Sequence, residues 1–288
     1  MFKMKSFGNF NDAIKWTKQQ MNDYCYQVHT EKWQGKDIKD DDRFAMIEIL
    51  NHSFTCTMAE DIQSLVDQIN PNLPWADDHF KERVSEKPLN PPPSHEWWPF
   101  AQKNNQEFGG NAQFSHTYPE RIWPKYAGSN SIKSIEDVDL SAGIEIIKDN
   151  NKAFIPKYPL SGVRFKYGDF YDVVDLLHKE PFTRQAFLPI WFPEDTGGAN
   201  GERVPCTIGY HFIVRNGYMH VVYYIRSCDF FRHFRDDIYL CCRKVIWLLE
   251  RLRKKDKFWN DIKPGMFTMH ITSLHAFKHE KFLLGKKD

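Results

Sequence analysis

The chain has 288 residues, 41% of them hydrophobic and 15% aromatic, enough to bury a substantial core in one large domain or two. Lys and Arg number 39 against 38 Asp and Glu, a net charge of +1, which excludes a global pull toward nucleic acid or an acidic surface. Any bound phosphate must therefore be held by a local cluster of arginines. No run of about eighteen apolar residues occurs, so no membrane span is expected, and the start MFKMKSFGNFNDAIKW lacks the apolar stretch of a secretory signal. Six cysteines without a CxxC pair form neither a disulfide framework nor a zinc set. A reduced, cytoplasmic protein with no metal is the expectation.

In chain order, helix-like patterns cover Asn11–Tyr26 and Asp41–Asn70, the second ending at Asn70-Pro71. PLNPPPS (Pro88–Ser94) can be neither helix nor central strand and marks a connection. His95–Gly128 is rich in Trp, Pro, Asn and Gly, a composition that suits the rigid wall of a site better than regular structure. Asp169–Pro181 is an amphipathic helix with an Asp start and a Pro stop, and AFLPIWF (Ala186–Phe192) is a short strand. The loop EDTGGANGER (Glu194–Arg203) is glycine-rich but lacks P-loop spacing. DIYLCCRKVIWLLERLRKKDKFW, from Asp237, is the strongest helix, and its basic end reads as a solvated face rather than a nucleic-acid patch. Strands and helices alternate irregularly, so the class is α+β or mixed α/β.

Asn216-Gly217, flanked by β-rich segments, is a strong signal for a two-residue type I′ hairpin. Arg215 then pairs with Tyr218, and following the pairing outward puts Cys206 opposite Ser227 and beside Arg226, about nine pairs from the turn at roughly 3.3 Å each. A β-bulge would shift this register by one residue and still leave the three as neighbours. An adjacent arginine lowers a thiol pKa and stabilises the thiolate nucleophile, and Arg with Ser makes a phosphate grip. A lone cysteine at a strand start also reads as a small buried hydrophobe, and only the motifs further along decide between the two.

Pro205-Cys206, RSCD (Arg226–Asp229), FRDDIY (Phe234–Tyr239) and PGMFTMHITSLHAF (Pro264–Phe277), in that order, resemble the thymidylate synthase superfamily. FTRQAF (Phe182–Phe187) resembles its paired-arginine segment, YPERIW (Tyr118–Trp123) its YGxxW stretch, and HEWWPF (His95–Phe100) the segment with its catalytic glutamate. The resemblance spans roughly Ser94 to His279. It implies a catalytic domain over 94–288 with a large bent mixed sheet at a two-fold dimer interface, preceded by a helical segment over 1–93 that packs on it. Two departures, Asp237 where the synthases read uracil with asparagine and Ser273 before the histidine, resemble the phage deoxycytidylate hydroxymethylases. A carboxylate accepts from the amino group of cytosine and favours a proton at N3 as charge builds on the ring, whereas it meets the O4 of uracil with an unpaired acceptor.

The resemblance thus implies transfer of a hydroxymethyl group from 5,10-methylenetetrahydrofolate to C5 of dCMP, in a host bacterial cytoplasm if the source is a phage. Relatives acting on dUMP, making thymidylate or methylating dCMP, and an inactive nucleotide-binding relative, are the alternatives. Cys206 is the implied nucleophile, Arg226 and Ser227 hold the phosphate, and Asp237 reads the base, unless it is a surface charge beside Asp236. Arg184 reaches the phosphate of the second subunit, although its usual partner arginine is Gln185 here. Glu96 organises water and shuttles protons, the role of a buried carboxylate with a raised pKa, or is an ordinary helix-start glutamate. His275 holds the sugar, where Phe277 replaces a tyrosine, and Tyr118 belongs to the wall. Asp229 contacts the folate, with Trp123 or Trp98 stacked on the pterin. Eleven residues follow Phe277, so either the N-terminal segment serves as the lid over the folate or the folate is handled differently.

Overall fold

A computed structural model gives the structure, and the residues it describes are 5–33, 36–39, 41–99, 114, 116–124, 168–192, 195–196 and 204–286. Most of the aromatic-rich stretch after Pro99 and the glycine-rich loop after Thr196 lie outside them. The chain forms two compact units, one of Met1–Asn72, Leu177–Ala186 and Cys206–Asp288, the other of Leu73–Leu176 and Phe187–Pro205.

Among the described residues the helices are α1 (Phe10–Tyr24), α2 (Ile62–Ile69), α3 (Trp75–Arg83), α4 (Tyr118–Ile122), α5 (Phe170–Lys179), α6 (Phe234–Arg253) and α7 (Lys281–Leu284). The strands among them are β1 (Lys5–Phe7), β2 (Tyr26–Val28), β3 (Lys32–Trp33), β4 (Lys36–Asp37), β5 (Met46–Thr57), β6 (Phe187–Pro189), β7 (Thr207–Arg215), β8 (Tyr218–Asp229) and β9 (Lys263–Phe277). In the first unit the order across the sheet is β1-β5-β9-β8-β7, with β2 also on β5. The β8 and β9 strands run parallel, joined through α6, while β5/β9 and β7/β8 are antiparallel. A parallel pair needs such a crossover, and α6 supplies it.

Alternate residues of the central strands are buried: Phe54 and Cys56 on β5, Val221, Tyr223 and Ile225 on β8, and Phe267, Met269 and Ile271 on β9. Phe10 of α1 meets Phe267 edge-on at 5.4 Å between ring centroids, and Phe234 of α6 meets Phe54 at 6.0 Å. The apolar stripe of α6, with Ile238, Cys241, Val245, Leu248 and Leu252 buried, lies at helical spacing, as its sequence predicts. Burial of each such large side chain contributes about 1.5–3 kcal/mol. The intervening residues Ile213, Val222, Tyr224, Thr268 and His270 stay half-exposed.

The expected helix over Asp41–Asn70 is not formed. A 3-10 turn at Asp42–Phe44, the strand β5 and the helix α2 occupy this stretch. The twelve residues MIEILNHSFTCT pair along their length with β9, and Asn51, at φ 54°, interrupts the alternation that would have marked a strand. Asp61 then caps α2 by accepting from the Ser64 amide at 2.8 Å. The N-terminal segment thus supplies an interior strand of the sheet as well as helices.

In the second unit two buried ionic clusters pin the chain. Arg121 donates to both carboxylate oxygens of Asp195, at 2.6 and 2.8 Å, with both side chains almost wholly enclosed. Glu82 accepts from the Ser94 amide at 2.5 Å and from the Ser94 hydroxyl, and His79 lies 3.3 Å away. The stretch expected to be an irregular wall contains the short helix α4, started by a reciprocal capping box between Thr117 and Glu120. Burial pushes the Glu120 carboxyl up to about 7, against hydrogen bonds from Asn90 and Thr117.

Candidate active site

The hairpin forms as its sequence predicts. Asn216 and Gly217 have φ of 51° and 79°, both in the left-handed region a type I′ turn demands. Pairing runs from Arg215–Tyr218 through Gly209–Tyr224, and a bulge then shifts it so that Thr207 faces Ile225. Cys206 consequently faces Arg226, whose amide donates to the Cys206 carbonyl at 2.9 Å. Cys206 is half-buried, and the half-buried Arg226 and Ser227 follow one another on β8.

The next residue, Cys228, is fully buried, and its thiol donates to Asp237 Oδ2 at 3.7 Å. Burial, with Asp237, Asp229 and Cys206 nearby, pushes that thiol well above its ordinary range. Cys228 is therefore held as a neutral thiol, and Cys206 is the cysteine of the pair that keeps a partly open side. Asp237 sits in the first turn of α6, half-buried, its amide donating to the His233 carbonyl at 2.7 Å. Asp236 beside it is buried and structural, accepting from the Asn72 amide and from Asn72 Nδ2, both at 2.8 Å. The two adjacent aspartates thus face different neighbours.

One residue further along the sheet, Asp229, His275 and Glu48 stand side by side on β8, β9 and β5. Burial lowers the His275 pKa, against the pull of Asp229 and Glu48, so the ring is held toward its neutral form. Glu48 accepts from the Ser273 hydroxyl and from Tyr26 Oη at 2.9 Å. Asp229 Oδ1 accepts from the amides of Phe231 and Arg232, each at 3.0 Å, and Oδ2 from Arg232 Nη1 at 3.1 Å. Arg232 also forks onto Glu280, at 2.7 and 2.9 Å, and its guanidinium lies over the Phe277 ring. The residues after β9 are thereby tied to the turn after β8. Arg184 is exposed, and its carbonyl is hydrogen-bonded by His211 of β7 at 2.9 Å.

Cys206, Arg226, Ser227, Asp229, Asp237, His275 and Arg184 all belong to the first unit. Glu96, Trp98, Tyr118 and Trp123 belong to the second. There Glu96 is exposed on a 3-10 turn and Trp98 is half-buried. Tyr118 is half-buried under Arg83, while Trp123 is enclosed, its Nε1 donating to the Arg83 carbonyl at 3.0 Å. Sequence reasoning missed Glu48, Arg232 and Glu280. The signal for Glu48 lay in a segment read as helix, and the other two carry no local pattern. Among the described residues no group of His, Cys, Asp and Glu is arranged to hold a metal, and no helix is long and apolar enough to cross a membrane.

No family model matches the chain. A protein of Methanosarcina acetivorans named "Putative thymidylate synthase" is 27% identical over 108 residues, covering 38% of this chain and 45% of its own length. The match therefore spans under half of that curated relative. The thermostable thymidylate synthase A of Bacillus subtilis superposes with a TM-score of 0.56 at 12% identity, covering 96% of this chain and 82% of the solved one. The mixed sheet and its helices are thus similar to the thymidylate synthase fold.

Proposed function

We propose that the protein is a thymidylate synthase-like one-carbon transferase whose substrate is dCMP and whose product is 5-hydroxymethyl-dCMP. The observation that carries this reading is the juxtaposition on one strand end of Cys206, the Arg226–Ser227 pair and, through Cys228, Asp237. A nucleophile, a phosphate grip and a carboxylate suited to the cytosine amino group are what C5 chemistry on this nucleotide needs.

In the proposed reaction Cys206 Sγ adds to C6 of the pyrimidine, and the electron pair of the C5–C6 double bond makes C5 nucleophilic. Asp237 accepts from the C4 amino group and favours a proton on N3 while charge builds there. The co-substrate 5,10-methylenetetrahydrofolate supplies the one-carbon unit that C5 takes up. Loss of the C5 proton with departure of tetrahydrofolate, addition of water to the new carbon and departure of Cys206 from C6 complete the exchange. His275, kept toward its neutral form, suits a hydrogen bond to the sugar hydroxyl. Glu96 remains our choice for ordering water, although it is exposed rather than the buried carboxylate that role calls for.

The donors and acceptors present fit the folate in part. Asp229 carries three hydrogen bonds, which leaves a carboxylate room for about one more donor such as a pterin N–H. Trp98 is half-buried, whereas Trp123 is fully enclosed, so Trp98 is the better choice to stack on the ring. We also place the protein in a two-fold dimer. The half-exposed sheet residues Ile213, Val222, Tyr224, Thr268 and His270 form the shared face, and the exposed Arg184 completes the partner's phosphate site.

The test is product analysis. The protein is incubated with dCMP or dUMP and methylenetetrahydrofolate, and the nucleotide is weighed by mass spectrometry. A hydroxymethyl adduct on dCMP supports the proposal. A methyl product would assign a methyltransferase or synthase, an adduct on dUMP alone would reassign the substrate, and no product at all would leave a nucleotide-binding relative.

A further inference from the structure

Arg83 closes α3 in the second unit and is only 3% exposed. Its Nε and Nη1 are both buried and meet no acceptor among the described residues. The main chain is fixed, because the Arg83 carbonyl takes the Trp123 indole N–H, and the guanidinium is fixed too, stacked 3.9 Å from the centre of the Tyr118 ring. Among the described residues, the acids close in sequence to Arg83 or Tyr118 are committed to other groups. Glu82 serves Ser94 and His79, Glu120 serves Asn90 and Thr117, and Glu86 accepts from the Tyr171 hydroxyl at 2.6 Å.

A cation so enclosed, with donors unmet, is costly unless something supplies negative charge, and contact with one aromatic face offsets only part of that cost. A pre-oriented guanidinium suits carboxylate and phosphate oxygens better than any other small ligand. We infer that Arg83, with Tyr118 as its aromatic floor, is a receptor for an oxyanion, a carboxylate or a phosphate. This goes beyond the proposed function, whose phosphate grip is made by Arg226 and Ser227.

The experiment follows thermal unfolding of the full chain carrying Arg226→Ala, so that the proposed nucleotide grip does not contribute. Glutarate and inorganic phosphate are titrated separately at constant ionic strength, with chloride as control. At least one of them should raise Tm saturably, by about 5 °C at a hundredfold excess over Kd. The same titration with Arg83→Met or Arg83→Gln added should be flat. In chloride alone Arg83→Met should unfold at the same or a higher temperature, because an unpaired buried charge has been removed. Which anion acts identifies the source, carboxylate or phosphate. A flat titration without the Arg83 change, an equal rise with it, or a lower Tm for Arg83→Met in chloride would overturn the inference. Failure of the Arg226 role would appear separately, as unchanged dCMP binding by Arg226→Ala.

Discussion

Asp237→Asn replaces a carboxylate by an amide of the same size in the first turn of α6, and the cytosine assignment rests on that residue. The Cys228 thiol, 3.7 Å from Asp237 Oδ2, can keep its contact with the amide oxygen, so the local packing survives. Loss of an acid from the helix start costs only about 0.3–1 kcal/mol of stability. The effect on base reading is larger. An amide offers uracil one donor and one acceptor, and it loses the charge that favours a proton on cytosine N3. Each buried mismatch is worth about 1–3 kcal/mol, so the ratio of kcat/KM for dCMP over dUMP should fall at least about tenfold. Asp236→Asn is the internal control. It sets an amide against Asn72 Nδ2, now at 2.8 Å, and should lower stability by about 1–3 kcal/mol while leaving the ratio unchanged. Steady-state kinetics on both nucleotides, with urea unfolding in parallel, reads both quantities. An unchanged ratio in Asp237→Asn, or a changed one in Asp236→Asn, would refute the reasoning.

Three further outcomes are expected. Cys206→Ser should still bind nucleotide but lose exchange of the C5 proton, since the hydroxyl is a weak nucleophile without a base, and full exchange would remove C6 addition from the mechanism. Arg184→Ala mixed with Cys206→Ser should recover roughly a quarter of native activity in a two-fold dimer, because each heterodimer holds one intact composite site; an active monomer by light scattering would contradict this. Burial depresses His52 to about 4, so the unfolded chain binds a proton there before the native one does as pH falls. Stability should drop by up to about 3 kcal/mol between the unfolded His pKa near 6.5 and about 4, and urea titrations of His52→Gln should lack that part of the slope.

The hairpin was the most legible part of the sequence, because Asn216-Gly217 dictates the turn type and the register near it, although the bulge at Thr207–Gly209 moves Cys206 from Ser227, where the unbroken register puts it, onto Arg226. The α6 helix was equally plain, its apolar stripe being long and uninterrupted. The β5 strand was not, since the left-handed Asn51 breaks its alternation and the flanking Asp61 reads as one helix with it. Hence Glu48, brought beside His275 only by strand pairing, could not be foreseen. The pairing of Arg121 with Asp195 and the tie from Arg232 to Glu280 join distant segments and leave no periodic trace. Asp237 and Asp236 look alike in sequence, and only their neighbours, Cys228 for one and Asn72 for the other, tell them apart.

The central claim is one-carbon chemistry at C5 of dCMP through Cys206, and tritium release from C5-labelled nucleotide tests it most directly. With methylenetetrahydrofolate present, the protein should release tritium from dCMP at least about tenfold faster than from dUMP, in proportion to the discrimination expected of Asp237. Cys206→Ser should release none. Faster release from dUMP, or release from dCMP that survives Cys206→Ser, would contradict the account.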